Sequence, residues 1–95
     1  MRRAAKADAN QPEIIAALRK AGASVQALHT VGQGCPDIVV GFRGVNWLLE
    51  IKDGSLAHSR RVLTSSELSW HRAWEGQVRT VCTPADALAA IGALL

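Results

Sequence analysis

The chain has 95 residues, of which 48% are hydrophobic and 20% are charged, which is typical of one small folded domain and excludes a disordered tail. Its formal net charge is +3, with basic residues towards both ends and an acidic middle. No apolar run approaches the roughly 18 residues of a membrane helix, and Cys35 and Cys82 lack the spacing of a zinc site or a disulfide framework. We therefore expect a cytoplasmic protein that does not contact membranes.

The chain begins with a charged, alanine-rich stretch, residues 1–9, which we expect to be a flexible arm of a single domain covering residues 1–95. A helix follows, because apolar side chains then recur at helical spacing. We expect Asn10 to cap this helix, with Glu13 at its third position and Gly22 as its stop.

Three β-rich segments come next. Residues 23–30 predict a short strand, and a connector rich in glycine leads from it to the runs 37–42 and 45–52. Only Arg43 and Gly44 separate these two runs, which predicts a hairpin with a two-residue turn. In that register, paired positions sum to 87.

The hairpin separates its side chains by chemistry. Because side chains alternate between the faces of a strand, one face is apolar throughout. The other face is apolar in its middle and charged at one end, where Asp37 lies opposite Glu50 and Lys52 points to the same side. This end of the hairpin is the first candidate site.

The rest of the chain predicts a helix, a strand and a further helix. Thr64 and Glu67 have the spacing of a capping box, which opens a helix that runs to Gly76. Residues 77–82 predict a strand, and Thr83 begins the last helix. The order is α, β, β, β, α, β, α, and a right-handed crossover makes the last pair of strands parallel. We therefore expect an α/β fold with a four-stranded mixed sheet flanked by helices, plus a C-terminal helix.

Two carboxylates that face each other across a hairpin destabilise it unless another group offsets their charge. A hard divalent cation does so, because Mg²⁺ binds one or two carboxylates together with water and phosphate oxygens. With Lys52 beside the pair and a basic loop after it, the site would suit hydrolysis of a phosphodiester. The alternative is that Asp37, Glu50 and Lys52 form a solvated ion cluster at the end of the hairpin.

These residues carry a resemblance to a known family. Pro36 and Asp37, followed after twelve residues by Glu50-Ile51-Lys52, resemble the signature of the PD-(D/E)XK nucleases, and the αβββαβ order is that of their restriction-endonuclease-like core. The segments GQGCPDIVV, LLEIKDG and LT-x-x-E-x-x-WH are most similar to the VRR-NUC branch, notably its small stand-alone bacteriophage forms. The similarity covers residues 10–92.

The resemblance implies a set of site residues. Asp37, Glu50 and the main-chain carbonyl of Ile51 would bind Mg²⁺ or Mn²⁺, and Lys52 would act on the attacking water and the transition state. Glu13 matches the accessory acidic position of the family. It would either complete the metal site or only favour the start of its own helix.

Other polar residues near the site have two interpretations each. Glu67 occupies a position where the branch often has glutamine, and it would either contribute to the site or only close the capping box. His71 would contact phosphate or be packed beside the tryptophans. His58, Arg60 and Arg61 lie in the loop after the proposed site, where they would contact the DNA backbone or remain solvated.

The resemblance implies a metal-dependent endodeoxyribonuclease that is selective for branched DNA such as Holliday (four-way) junctions, acts as a homodimer and works in the cytoplasm of a bacterial or phage-infected cell. An apolar C-terminal helix and three tryptophans also fit a homodimer, although that helix could instead dock on the sheet. The alternative function is a non-catalytic nucleic-acid-binding protein with the same fold. A structural or regulatory interaction protein is a third possibility, in which the carboxylates are incidental.

Overall fold

In a computed structural model of the chain, the structure describes residues 9–54 and 62–93. Three helices and four strands form in the order that the sequence predicts. They are α1 (Gln11–Lys20), β1 (Ser24–Ala27), β2 (Ile38–Phe42), β3 (Val45–Ile51), α2 (Ser65–Ala73), β4 (Val78–Val81) and α3 (Pro84–Ala90).

The four strands form one mixed sheet in the order β1-β2-β3-β4. Strand β2 is antiparallel to both β1 and β3, and β3 and β4 are parallel. The predicted hairpin register is confirmed, since Phe42 pairs with Val45 and Ile38 pairs with Leu49. Arg43 and Gly44 have φ angles of 51° and 81°, the positive values that a type I′ turn requires at both central positions.

One face of the sheet is covered by α1 and α3 and forms the hydrophobic core. The last helix contributes to it, because Ile91 is buried and Leu88 packs against the core. Of the two positions expected for this helix, the sheet is therefore the one that these residues take. The buried core residues are Ile14, Leu18, Ala23, Ile38, Val40, Leu49, Ile51, Val81, Ala87 and Ile91.

The opposite face carries α2, from which Glu67 contacts Lys52, while Trp74, the residue after the helix, lies beside Val39 and Leu48. This helix buries none of its own residues. It begins with the predicted capping box, in which Thr64 and Glu67 exchange hydrogen bonds, and it ends at Ala73, before the predicted Gly76. The helix stops there because the backbone of Trp74 is extended, with ψ of 123°, and cannot continue the helical turn.

Asn10 occupies the N-cap position of α1, as predicted, and its carbonyl accepts from Ile14 at 3.3 Å, but its side chain does not cap the helix. Asn10 has a helical backbone, with φ −83° and ψ −5°, and makes no side-chain cap hydrogen bond, because a cap requires an extended backbone at that residue. Its side-chain amide instead donates to the backbone carbonyls of Lys52, at 3.1 Å, and Cys82, at 2.7 Å. The helix stop at Gly22 holds, since that residue has a φ of 97° just after the helix end.

Strands β1 and β2 are also shorter than the sequence predicts. Strand β1 ends at Ala27, before the predicted residue 30, because Leu28 begins a turn in which its carbonyl accepts from Val31. Strand β2 begins one residue after Asp37, whose carboxylate accepts a hydrogen bond from the backbone N–H of Ile51. Within residues 9–54 and 62–93, no helix is long and apolar enough to cross a membrane.

Candidate active site

Asp37 is fixed by bonds to both neighbouring segments of the sheet. Its backbone N–H donates to the Leu49 carbonyl at 3.1 Å, and its own carbonyl accepts from Leu28 at 2.7 Å. The carboxylate oxygen Oδ2 accepts from the backbone N–H of Ile51 at 2.7 Å. Because the N–H and C=O of one strand residue point to the same side, the Ile51 carbonyl leaves β3 towards Asp37 as well.

Glu50 lies beside Asp37, as the register predicts, and is almost completely buried, with 2% of its surface exposed. Its oxygen Oε1 has no hydrogen-bond partner among the residues that the structure describes. Burial, then the charge of Asp37 and hydrogen bonding to it, raise the pKa of Glu50 to about 10. Without a cation, the pair therefore holds a proton near neutral pH, since a buried carboxylate does not ionise readily beside a second, partly buried one.

Lys52 is the nearest described cation to this pair, and only 9% of it is exposed. Its ammonium nitrogen Nζ lies 3.8 Å from Glu50 Oε2 but 2.7 Å from Glu67 Oε1. The stronger ion pair is therefore with Glu67, on α2, and Lys52 only partly offsets the charge of the Asp37 and Glu50 pair. This geometry joins α2 to the end of β3.

Glu67 combines the two roles that the sequence left open. Its oxygen Oε1 accepts from the Thr64 backbone N–H at 2.8 Å, which closes the capping box, and also from Lys52 Nζ. Burial by itself would raise the pKa of Glu67, but the hydrogen bonds and charge of Lys52, together with the Thr64 bond, lower it below its usual value. Glu67 is therefore a carboxylate that holds the lysine of the site.

Gly34 explains how α2 reaches the site. This connector residue has a φ of 83°, and a β-carbon added there would collide with the Ser66 carbonyl oxygen in the first turn of α2. A side chain at this position would push the start of α2, and Glu67 with it, away from the sheet. The local sequence of the connector does not reveal this contact, because Gly34 and Ser66 are far apart in the chain.

Asn10 is a second contributor that sequence analysis missed. Its two bonds to the carbonyls of Lys52 and Cys82 tie the start of α1 to the ends of β3 and β4. The bond to Lys52 fixes the main chain at the lysine of the candidate site. Because asparagine is common at helix caps, the sequence around Asn10 does not indicate this long-range role.

His71 and Cys35 lie near the charged groups. Burial lowers the pKa of His71, opposed by the charge of Glu67 and aided by that of Lys52, so the imidazole is neutral at neutral pH. Its Nε2 has no hydrogen-bond partner among the described residues. The centroid of its ring lies 6.0 Å from that of Trp70, in an edge-to-face arrangement. Burial, then the charges of Glu50 and Asp37, raise the pKa of the Cys35 thiol. That thiol stays protonated.

Among the described residues, the sequence-predicted Glu13 is not brought to the carboxylate pair. Glu13 is exposed on α1, and the charges that shift the pKa of Glu50 come from Asp37, Glu67 and Lys52 instead. His58, Arg60 and Arg61 lie outside the described residues.

The donor chemistry of the site suits a hard cation. Within the described ranges, no group of three or more histidine, cysteine, aspartate or glutamate side chains is arranged as a metal site. Asp37 and Glu50 form a two-carboxylate site, which is the number that Mg²⁺ commonly takes from a protein when water and phosphate complete its coordination. The unpartnered, buried Oε1 of Glu50 is an acceptor that such an ion would satisfy.

No protein-family model, curated protein or solved structure matches the chain. The features that bear on its function are therefore the motifs of the chain itself and the geometry of Asp37, Glu50, Lys52 and Glu67. These residues are held by β2, β3 and α2, so the site depends on the folded domain and not on one local segment.

Proposed function

We propose that the protein is a metal-dependent endodeoxyribonuclease of the PD-(D/E)XK type, with a restriction-endonuclease-like fold. One observation carries this proposal: Glu50 is buried against Asp37 with an unpartnered oxygen, and its pKa is raised to about 10. A folded chain gains no stability from such a pair, because each ionised carboxylate disfavours the other. A site for a cation accounts for the pair, whereas a solvated ion cluster does not, since Glu50 is not solvated.

The residues of the site have distinct roles in this proposal. Asp37, Glu50 and the main-chain carbonyl of Ile51 would hold Mg²⁺ or Mn²⁺. When bound, such an ion polarises the scissile phosphate and lowers the pKa of a water molecule at the site.

Lys52 lies on the same face as the carboxylates, where it orients the attacking water and offsets the negative charge that develops on the phosphate. Glu67 acts through Lys52 as a positioning residue, because its carboxylate fixes the ammonium group at 2.7 Å. Glu13 and His71 remain candidates for secondary roles, in an accessory acidic position and in phosphate contact respectively.

We further propose that the substrate is branched DNA such as a four-way junction and that the enzyme is a cytoplasmic homodimer. Resolution of a junction into two duplexes requires two incisions, and each chain offers one carboxylate pair. A two-fold dimer would present two such sites to a two-fold-symmetric substrate. Light scattering should then give twice the 10.1 kDa mass of the chain, and a monomer that cuts four-way junctions symmetrically would contradict the dimer.

The decisive experiment for the activity compares linear, flapped and four-way DNA, each incubated with Mg²⁺, with Mn²⁺ and with EDTA. We expect cleavage of branched DNA only when a divalent ion is present. Asp37→Asn should lose both cleavage and Mn²⁺ binding, and Glu75→Gln, at an exposed carboxylate outside the site, serves for comparison. A protein that binds these DNAs but cuts none of them would instead be the non-catalytic nucleic-acid-binding protein.

A further inference from the structure

An open apolar groove lies next to the candidate active site, on the same face of the sheet. Its floor is the directly paired residues Val39 and Leu48, and its walls are Leu28 and Trp74. Asn46 and Gln77 also line it, with the Gln77 amide nitrogen donating to the Asn46 backbone carbonyl at 3.4 Å, and its volume is about 450 Å³. The groove is thus large enough for a small planar ligand.

Trp74 gives the groove an aromatic wall. One face of its indole stacks on Trp70, with ring centroids 4.6 Å apart and planes inclined by 17°. The residue is nevertheless 45% exposed, which is unusual for the largest apolar side chain. Gly76 allows this arrangement, since a β-carbon there would meet the indole Nε1 at 2.8 Å. The exposed ring is therefore held in place by Trp70 and by the close approach of the backbone.

The groove is in line with the carboxylate pair. Val39 follows Asp37 by two residues, and Leu48 precedes Glu50 by two, so each pair shares one face of its strand. Such neighbours are separated by about 7 Å. A phosphate at the carboxylate pair would therefore have the base of an adjoining nucleotide within reach of the groove.

The two neighbouring sites suit different parts of a nucleotide, the carboxylate pair with its cation the phosphate and the groove the base. None of the described residues that line the groove carries a charged side chain, so this lining does not attract a phosphate. An apolar floor, an aromatic wall and the amide-bearing Asn46 and Gln77 match the faces and the polar edges of a nucleobase. A base stacked inside a duplex cannot enter such a groove, because its faces are covered by its neighbours.

We propose that this groove binds an unpaired nucleobase of the substrate next to the scissile phosphate. This inference rests on the proposed nuclease function and adds a basis for its selectivity. Flapped DNA carries unpaired bases beside its branch point, whereas the bases of a four-way junction are paired, so one at the branch point would first be extruded at a cost of about a few kcal/mol. Trp74 is the residue that makes the principal stacking contact.

The test measures binding without cleavage, with Ca²⁺ in place of Mg²⁺. The probes are a short single-stranded oligodeoxyadenosine and an abasic strand of the same length, both followed by fluorescence anisotropy. We expect the base-bearing strand to bind roughly 5- to 150-fold more tightly, the range that stacking of one base on an aromatic side chain supplies. Trp74→Ala should remove most of this difference and leave the abasic strand unchanged.

Two further variants separate stacking from damage to the fold. Trp74→Phe keeps an aromatic ring and should retain most of the preference for bases. Leu68→Ala removes an apolar side chain that is 39% exposed on α2 but does not line the groove, so it should bind both strands as the unchanged protein does. Circular dichroism checks that each variant is folded.

Three results would overturn the inference: equal affinity for the two strands, an unchanged preference for bases in folded Trp74→Ala, or a fall in mass from dimer to monomer in that variant. The last result would mean that a second copy of the chain occupies the groove. Cleavage assays with Mg²⁺ and Mn²⁺ keep the two proposals apart. A protein that prefers bases but cuts no DNA refutes the nuclease and keeps the base site, whereas a nuclease without the preference refutes the base site alone.

Discussion

Replacement of Glu50 by glutamine should stabilise the metal-free protein while it abolishes activity. The unfolded chain ionises Glu50 near its ordinary pKa of 4.5, whereas the folded protein has a pKa of about 10 at this residue, because of burial first and then the neighbouring Asp37. Between these values the folded state holds a proton that the unfolded state has released. The free energy of unfolding therefore falls as pH rises, by about 1.4 kcal/mol for each pH unit.

At pH 7.5 the accumulated loss is at most about 4 kcal/mol for so buried a group. Glu50→Gln removes it, because the amide carries no charge at any pH and can donate a hydrogen bond to Asp37. Each kcal/mol corresponds to a shift in the melting temperature of about 4–8 °C in a domain of this size. We therefore expect the variant to melt at least about 5 °C higher than the unchanged protein in EDTA at pH 7.5.

The assay is thermal unfolding followed by circular dichroism in EDTA at pH 4.5, 6 and 7.5. The difference between the two proteins should be small at pH 4.5, where Glu50 is protonated in the folded protein and about half protonated in the unfolded chain, and should grow as pH rises. Glu75→Gln is the matched control, since this exposed carboxylate lies outside the site and should leave the melting temperature nearly unchanged. Mg²⁺ should raise the melting temperature of the unchanged protein only. Two results would refute this reasoning. One is a Glu50→Gln protein that melts at a lower temperature than the unchanged protein at pH 7.5, and the other is a difference in melting temperature that is the same at every pH.

Two further variants test how the site is held. Gly34→Ala should lower cleavage at least about tenfold, because a β-carbon there collides with the Ser66 carbonyl and displaces α2. Gly32→Ala has the same positive φ but no neighbour within 4 Å, so it should cost about 1 kcal/mol of stability and keep its activity; equal losses would contradict the contact. Asn10→Ala should lower the free energy of unfolding by about 1–3 kcal/mol through loss of its two long-range bonds. Urea unfolding measures this change, and Gln26→Ala, which removes an exposed local bond, should have little effect.

The sequence predicted best what alternation and short turns determine. A two-residue turn after Phe42 fixes the register of β2 and β3, and the apolar face then has to point into the core. Together these two features bring Asp37 beside Glu50 without any knowledge of the rest of the chain. The capping box at Thr64 was equally predictable, because all of its atoms lie within four residues.

What the sequence could not predict depends on segments distant in the chain. Asn10 satisfies a local rule for helix caps, yet its amide bonds to Lys52 and Cys82, which lie 42 and 72 residues away. The pairing of Glu67 with Lys52 likewise depends on where α2 lies on the sheet. Gly34 controls that position through one backbone contact, and no periodicity or motif records such a contact.

The measurement that tests the central claim most directly is cleavage of a four-way junction by Lys52→Ala, with binding of the same DNA measured in parallel. Lys52 lies 3.8 Å from Glu50 and is held by Glu67, so its proposed action is on the water and the transition state. We expect the variant to lose cleavage by at least about a thousandfold in Mg²⁺ and Mn²⁺, while its affinity for the junction changes by less than about threefold. A folded Lys52→Ala protein that cuts at the normal rate would contradict the assignment of this site.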